Sequence, residues 1–251
     1  VTTAASTFVR EAVVLAAGNG DRFQNGTRQS KLLHAVLGQP LILRTLATAA
    51  AAGISSFEIV LGYQAESVRR VIERGAPEGT KVHFTYNAEW RLENGVSVLA
   101  ARDRFPNRRF ALLMGDHLFE SPVLSTLLRM RVASNHSILA VDTQPAPPDV
   151  AAEATQVRMS GEYITAIGKD LGSYDALDTG LFVCSPALFD ALVTACASGD
   201  TTLSGGIREL AAQRLMLGAD VGGASWYDID TLADLTTVES LLRTYTEPEP
   251  A

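Results

Sequence analysis

The sequence predicts an α/β protein, a single three-layer αβα domain on a mostly parallel mixed sheet. Short β-rich apolar runs alternate with segments of helical spacing from Glu11 to Ser134, the rhythm that right-handed βαβ crossovers leave in a sequence. The chain has 251 residues, 47% of them hydrophobic, which is enough for a sizeable core. No internal repeat or low-complexity block divides it.

The strands read as Glu11–Leu15, Phe57–Gly62, Lys81–Tyr86, Phe110–Met114 and Ser137–Val141, with helices over Pro40–Ala52, Gln64–Arg74, Gly95–Asp103 and Pro122–Ser134. After the Pro-rich loop Thr143–Asp149 come short strands at Thr155–Met159, Tyr163–Ile167 and Leu181–Cys184, with Ala219–Gly223 as a further candidate. Helices start from Pro186 and Leu203, and a strand-helix unit over Trp226–Leu242 completes the domain. The domain is expected over residues 1–246, with 247–251 a disordered Pro/Glu tail. Ligands of such sheets bind beyond the carboxyl ends of the strands, which singles out the loop after Leu15, Gly115-Asp116-His117, and the stretch around Asn94-Gly95.

Composition removes several function classes. A net charge of −7 argues against a general nucleic-acid binder. No apolar stretch approaches the ~18 to 20 residues that span a bilayer. The opening VTTAASTFVRE lacks the cationic start and long apolar centre of a secretory signal, which predicts a cytoplasmic location. Cys184 and Cys196 lack CxxC spacing and read as small buried hydrophobes.

Leu15–Gln24, LAAGNGDRFQ, is the most informative stretch. A buried strand feeding a Gly-x-Gly turn lets backbone N–H groups approach an anion, and Arg22, Arg28 and Lys31 form a cationic island opposed only by Asp21. A solvated charged loop is the plainer reading. Asp116, at the tip of a buried strand, suits a Mg²⁺ ligand, since this hard ion takes one or two carboxylates plus substrate phosphate oxygens. In Trp226-Tyr-Asp-Ile-Asp-Thr231 the strand period of two puts Asp228 and Asp230 on one face. Either could join Asp116 at a metal; the competing reading of Asp230 is an N-cap for the following helix.

Leu15-Ala-Ala-Gly-Asn-Gly-Asp-Arg22, Ser30-Lys31-Leu32-Leu33, Gly38-Gln39-Pro40-Leu41-Ile42, Asp116 and the closing Asp-Ile-Asp-Thr together resemble the signature of the nucleotidyltransferases that make sugar nucleotides and related activated alcohols. Met114-Gly-Asp-His117, Glu93-Asn-Gly-Val-Ser97, Ile167-Gly-Lys-Asp-Leu171 and Tyr174–Phe182 narrow the resemblance to the CTP-dependent inositol-1-phosphate cytidylyltransferases. The resemblance implies a GT-A-like nucleotidyltransferase fold and Mg²⁺-dependent transfer of CMP from CTP to a small phosphorylated alcohol, giving CDP-inositol and pyrophosphate. Some members of that family are fused to a membrane-embedded CDP-alcohol phosphotransferase, so coupling to such an enzyme is expected.

On this resemblance, Ala17, Gly18 and Gly20 hold the nucleotide and Asn94, Gly95 and Ser97 meet its base. Arg22 meets the departing pyrophosphate and Lys31 the α-phosphate. Asp116 and Asp230 hold Mg²⁺, with Asp228 the fallback. Lys169 grips the acceptor phosphate, and Asp178 with Thr179-Gly180 takes acceptor hydroxyls. Without the resemblance, Lys169 is a surface lysine, Asp178 shapes a turn, and His117 is a structural histidine that this chemistry does not require. Trp90 and Tyr86 line a pocket or pack a lid. Transfer to phosphocholine or a sugar phosphate, a metal-dependent glycosyltransferase, and a silent regulatory subunit are the other readings. Sparse aromatics weaken a choline site, and Lys31 with the Gly18/Gly20/Arg22 turn weakens the glycosyltransferase.

Overall fold

The computed structural model describes residues 8–23 and 29–246. In chain order it forms β1 (Glu11–Ala16), β2 (Ala35–Val36), β3 (Gln39–Pro40), α1 (Leu41–Ala51), β4 (Ser56–Leu61), α2 (Ala65–Gly75), β5 (Lys81–Tyr86), α3 (Asn94–Ala100), β6 (Phe110–Met114), β7 (His117–Phe119) and α4 (Ser121–Arg129). The second half adds β8 (Ser137–Asp142), α5 (Pro148–Glu153), β9 (Gln156–Ser160), β10 (Tyr163–Gly168), β11 (Ala176–Cys184), α6 (Ala187–Ala197), α7 (Leu203–Ala212), β12 (Met216–Asp220), β13 (Trp226–Asp228) and α8 (Leu232–Thr246).

Nine strands make one mixed sheet in the order β5-β4-β1-β6-β11-β8-β12-β10-β9. The half built from β5, β4, β1 and β6 is parallel. β11 then enters antiparallel to both β6 and β8, while β12 runs parallel to β8. β9 pairs with both β10 and the start of β11, so this end of the sheet curls back on itself. Alternation along the strands feeds two cores. Ala12, Val14 and Ala16 of β1 face α1, α2 and α4 through Ile42, Leu46, Val68 and Leu124. Val13 faces α3, α6 and α7 through Val98, Leu188, Leu192 and Ile207. These are the three layers expected from the βαβ rhythm.

Several elements differ from the expected ones: β2, β3 and β7 are additional short strands, and the last candidate strand of the main sheet runs over Met216–Asp220 rather than Ala219–Gly223. The Pro-rich stretch contains the short helix α5, whose Pro148 stands in its first turn, where a missing N–H costs nothing. β11 begins at Ala176 rather than Leu181, because Asp178-Thr179-Gly180 forms a bulge within the strand; its register shifts between Asp178 and Phe182, and Gly180 has φ +75. β13 stays out of the main sheet and pairs antiparallel with β7, Asp228 opposite His117.

That small ribbon positions the site. Ile229, fully buried, joins Phe23, Val36, Leu41, Leu118 and Val238 in a separate apolar cluster that pins α8 over β7. With Ile229 held inward, the acids on either side of it face the carboxyl ends of β1 and β6. Among the described residues no helix is long and apolar enough to cross a membrane.

Candidate active site

β1 and β6 end side by side, Leu15 opposite Met114, and the Gly115 N–H donates to the Leu15 carbonyl at 2.9 Å. A side chain at Gly115 would stand 2.7 Å from that carbonyl, so only glycine lets the two strands close here and deliver Asp116 to the rim. Lys31 arrives from a helical turn over Lys31–Leu33. Its stem lies against Gly20, where a Cβ would come within 3.0 Å and where φ is +62. Gly20 therefore makes room for lysine as well as shaping the turn.

The Lys31 ammonium sits between two carboxylates, 2.8 Å from Asp116 Oδ2 and 2.9 Å from Asp230 Oδ1. Burial alone would push its pKa down, but Asp116, Asp230 and Asp228 raise it well above the ordinary lysine value. Burial likewise works against the Asp116 charge, and Lys31 with His117 holds its carboxyl below the usual range.

Asp230 is not the N-cap of α8. Thr231 is: its hydroxyl accepts the Asp234 N–H at 3.1 Å, while the Asp234 carboxylate accepts the Thr231 and Asp230 N–H groups at 2.7 and 3.0 Å. This reciprocal cap leaves the Asp230 carboxylate to Lys31.

His117 is the group that sequence reasoning undervalued. Its Nε2 is 3.3 Å from Asp228 and 4.0 Å from Asp116. Burial pushes its pKa down, yet Asp228, Asp116 and Asp178 hold it up at about 9. Gly180 is its cradle: a Cβ there would lie 2.1 Å from Nδ1. Burial raises the Asp178 carboxyl to about 6, against the opposing effects of the Gly180 N–H and His117. The cue in the sequence was the alternation that sets His117 across from Asp228 once β7 is read as a strand.

Four carboxylates, Asp116, Asp178, Asp228 and Asp230, thus surround two cations, Lys31 and His117, a surplus of two negative charges when all are ionised. That surplus and the oxygen donors fit a hard divalent cation. Asp116 and Asp230, which already bracket one cation, are the residues that would hold it. One donor atom from each of Asp116, His117 and Asp228 lies within 4.8 Å of the others; in the metal-free protein His117 is ion-paired with Asp228, and the trio acts as a brace.

A cleft of about 600 Å³ opens above Asp116 between the Ala17–Asp21 turn and the Trp90–Ser97 segment. Of the expected nucleotide residues, Ala17, Gly18, Asn94 and Ser97 line it. Two carry other duties: the Asn94 Oδ1 accepts the Leu203 N–H at 2.8 Å, and Ser97 Oγ accepts from Asn87 Nδ2 at 3.0 Å. Gly95 corrects its expected role. It is buried against the backbone of Thr201 and Thr202, 2.6 Å from where its Cβ would stand, so its small size serves the approach of α7 rather than of a base. Trp90 lines the cleft, whereas Tyr86 is exposed at the end of β5.

On the acceptor side, Thr179 needs correction. It is buried, and its hydroxyl donates to the Ala140 carbonyl at 2.8 Å, so it is spent inside the sheet. Lys169 is exposed just after β10; Gly168 pairs with Gln156, which pairs with Leu177, so Lys169 stands two strands from Asp178 on the same rim. The Arg22 side chain and all of Arg28 and the 247–251 tail lie outside the described residues. Cys184 is buried as expected, and burial pushes its thiol up.

Residues 12–214 match the model of the MobA-like NTP transferase domain. The chain belongs to the MobA-like NTP transferase family. A bifunctional IPC transferase and DIPP synthase of Rubrobacter xylanophilus is 37% identical over 236 residues, 92% of this chain and 51% of the relative. One of the same name from Thermococcus kodakarensis is 30% identical over 92% of this chain and 50% of its own. The chain spans about half the length of these curated relatives. Among solved structures, the inositol-1-phosphate CTP transferase from T. maritima superposes with a TM-score of 0.83 at 24% identity, covering 98% of this chain and 99% of its own. This MobA-like NTP transferase domain therefore has the fold of that enzyme, and nucleotidyltransferases of the family generally use a divalent metal.

Proposed function

We propose that the chain transfers CMP from CTP to inositol-1-phosphate, releasing pyrophosphate and giving CDP-inositol. The observation that carries nucleotidyl transfer is the Lys31 ammonium bracketed by Asp230 and by Asp116, the carboxylate of the pair that lines the cleft. The choice of cytosine and of an inositol phosphate rests on the names of the relatives and of the T. maritima neighbour.

In the reaction, an oxygen of the acceptor phosphate attacks the α-phosphorus of CTP in line; the bond to the β-phosphate breaks and pyrophosphate departs. That oxygen is already ionised near neutral pH, so no strong base is needed and the protein's task is alignment and charge neutralisation. Ala17, Gly18 and Gly20 shape one wall of the nucleotide site, with Asn94 and Ser97 on the other. Lys31 turns from its carboxylates to the α-phosphate, where negative charge grows, and Arg22 serves the leaving pyrophosphate. When bound between Asp116 and Asp230, Mg²⁺ would neutralise phosphate charge at the reacting centre. Asp178 accepts a polyol hydroxyl and Lys169 holds the acceptor phosphate. We place the chain in the cytoplasm, where it would feed a CDP-alcohol phosphotransferase.

Pyrophosphate release, measured with each nucleoside triphosphate against inositol-1-phosphate, phosphocholine and hexose-1-phosphates, tests this reading. CTP with inositol-1-phosphate should dominate. Fastest release with a hexose-1-phosphate or another triphosphate would move the chain to a different substrate pair, and no stimulation by any acceptor would overturn nucleotidyl transfer.

A further inference from the structure

We propose that Arg91 grips the triphosphate tail of the nucleotide, acting from the wall of the cleft opposite the glycine turn; this rests on the cleft being the nucleotide site. Among the described charged side chains that line the cleft, Asp21, Glu93 and Asp116 are acids and Arg91 is the one cation. A polyanion entering there meets like charge unless a cation faces it.

Arg91 is held in place without being neutralised. Its guanidinium carbon stands 4.3 Å from the centroid of the Trp90 ring. Trp90 leans on Tyr63 with ring centroids 5.4 Å apart, and its Cβ occupies the space over Gly62, where another Cβ would come within 2.4 Å. The ring is thus a fixed platform. A cation–π contact of this kind uses none of the guanidinium N–H groups and so leaves its planar fork for phosphate oxygens. No ion pair between Arg91 and a carboxylate forms among the described residues. Lys31, by contrast, is tied to two carboxylates. Arg91 is therefore poised to meet the incoming nucleotide first, before Lys31 has left Asp116 and Asp230.

The test compares CTP with CMP, which shares the nucleoside but lacks the two outer phosphates, by calorimetric titration without acceptor. Arg91→Met keeps an aliphatic stem on Trp90 and removes the charge; Arg91→Lys restores the charge without the fork. Arg91→Met should weaken CTP on the order of 10- to 100-fold, the range of one or two charge-assisted hydrogen bonds, and CMP by less than about threefold. Arg91→Lys should recover part of the loss for CTP alone. Equal loss for CTP and CMP, or no loss for CTP, overturns the proposal while leaving the nucleotide site standing. If the wild-type protein prefers another triphosphate, that nucleotide and its monophosphate replace the pair. A wild-type protein that binds no nucleotide sinks both readings.

Discussion

Removing the Lys31 charge with Lys31→Met should make the metal-free protein less stable and at the same time make it bind a divalent cation more tightly. In the folded protein the ammonium occupies the point between Asp116 and Asp230, 2.8 and 2.9 Å from their oxygens. A metal entering there must displace it. Each charge-assisted contact is worth roughly 1.5 to 3 kcal/mol where solvent is excluded. Here the lysine side chain is only 9% exposed but the carboxylates are 26% and 21% exposed, so water recovers much of that. A net value of about 2 kcal/mol for the two contacts corresponds to about 30-fold in metal affinity. The same 2 kcal/mol lowers the melting temperature of a chain this size by roughly 4 to 8 °C. The assay is melting temperature against Mg²⁺ or Mn²⁺ concentration without nucleotide, in wild type and Lys31→Met. The variant should start lower and gain more from metal, while losing turnover by orders of magnitude. A metal-induced gain in the variant equal to or below that of the wild type would refute the idea that lysine and metal share one position.

In the metal-free protein His117 links stability to pH. Its folded pKa, about 9, lies above the ordinary 6.5, so its contribution is fully present below about pH 6.5 and disappears as pH rises through 9. The ceiling on that loss is about 3 kcal/mol; denaturant midpoints measured from pH 6 to 10 should fall, and His117→Gln should flatten the decline. Thr179→Val removes the hydroxyl that donates to Ala140, which should cost about 1 kcal/mol of stability and leave the KM for the acceptor unchanged; a raised acceptor KM would restore the role withdrawn above. Gly180→Ala combines a disfavoured φ of +75 with a Cβ 2.1 Å from His117 Nδ1. It should cost more than the ~1 kcal/mol of backbone strain alone and raise the metal requirement by displacing the brace on Asp228, both readable from melting curves with and without metal.

The parallel half of the fold was legible because its strands carry their own evidence: β1, β4 and β6 are apolar runs of strand length and β5 alternates polar with apolar residues, all set between helical spacings. The bulge at Asp178-Thr179-Gly180 was not, since an Asp-Thr-Gly triplet reads as a turn until a partner strand is known. Lys31, Asp116 and Asp230 were identified as neighbours, yet their direct pairing was not, because the chain separates Lys31 from Asp230 by 199 positions and only the β7–β13 ribbon brings them together. Gly95 misled for a related reason: a glycine reveals that something approaches closely, and whether this is a ligand or the Thr201–Thr202 backbone is settled only by packing. His117 reads in the sequence as a structural histidine that the chemistry does not require; what the sequence does not show is that Asp116, Asp178 and Asp228 converge on it.

The proposed reaction turns on attack by an acceptor phosphate oxygen on the α-phosphorus of CTP beside Lys31, Asp116 and Asp230. Inositol-1-phosphate carrying ¹⁸O in its non-bridging phosphate oxygens, followed by ³¹P NMR during turnover with CTP and Mg²⁺, tests it directly. Direct attack gives an isotope shift on both phosphorus atoms of the product, through a labelled bridging oxygen, and unlabelled pyrophosphate. Labelled pyrophosphate, or release of CMP to water with the acceptor unchanged, would contradict it.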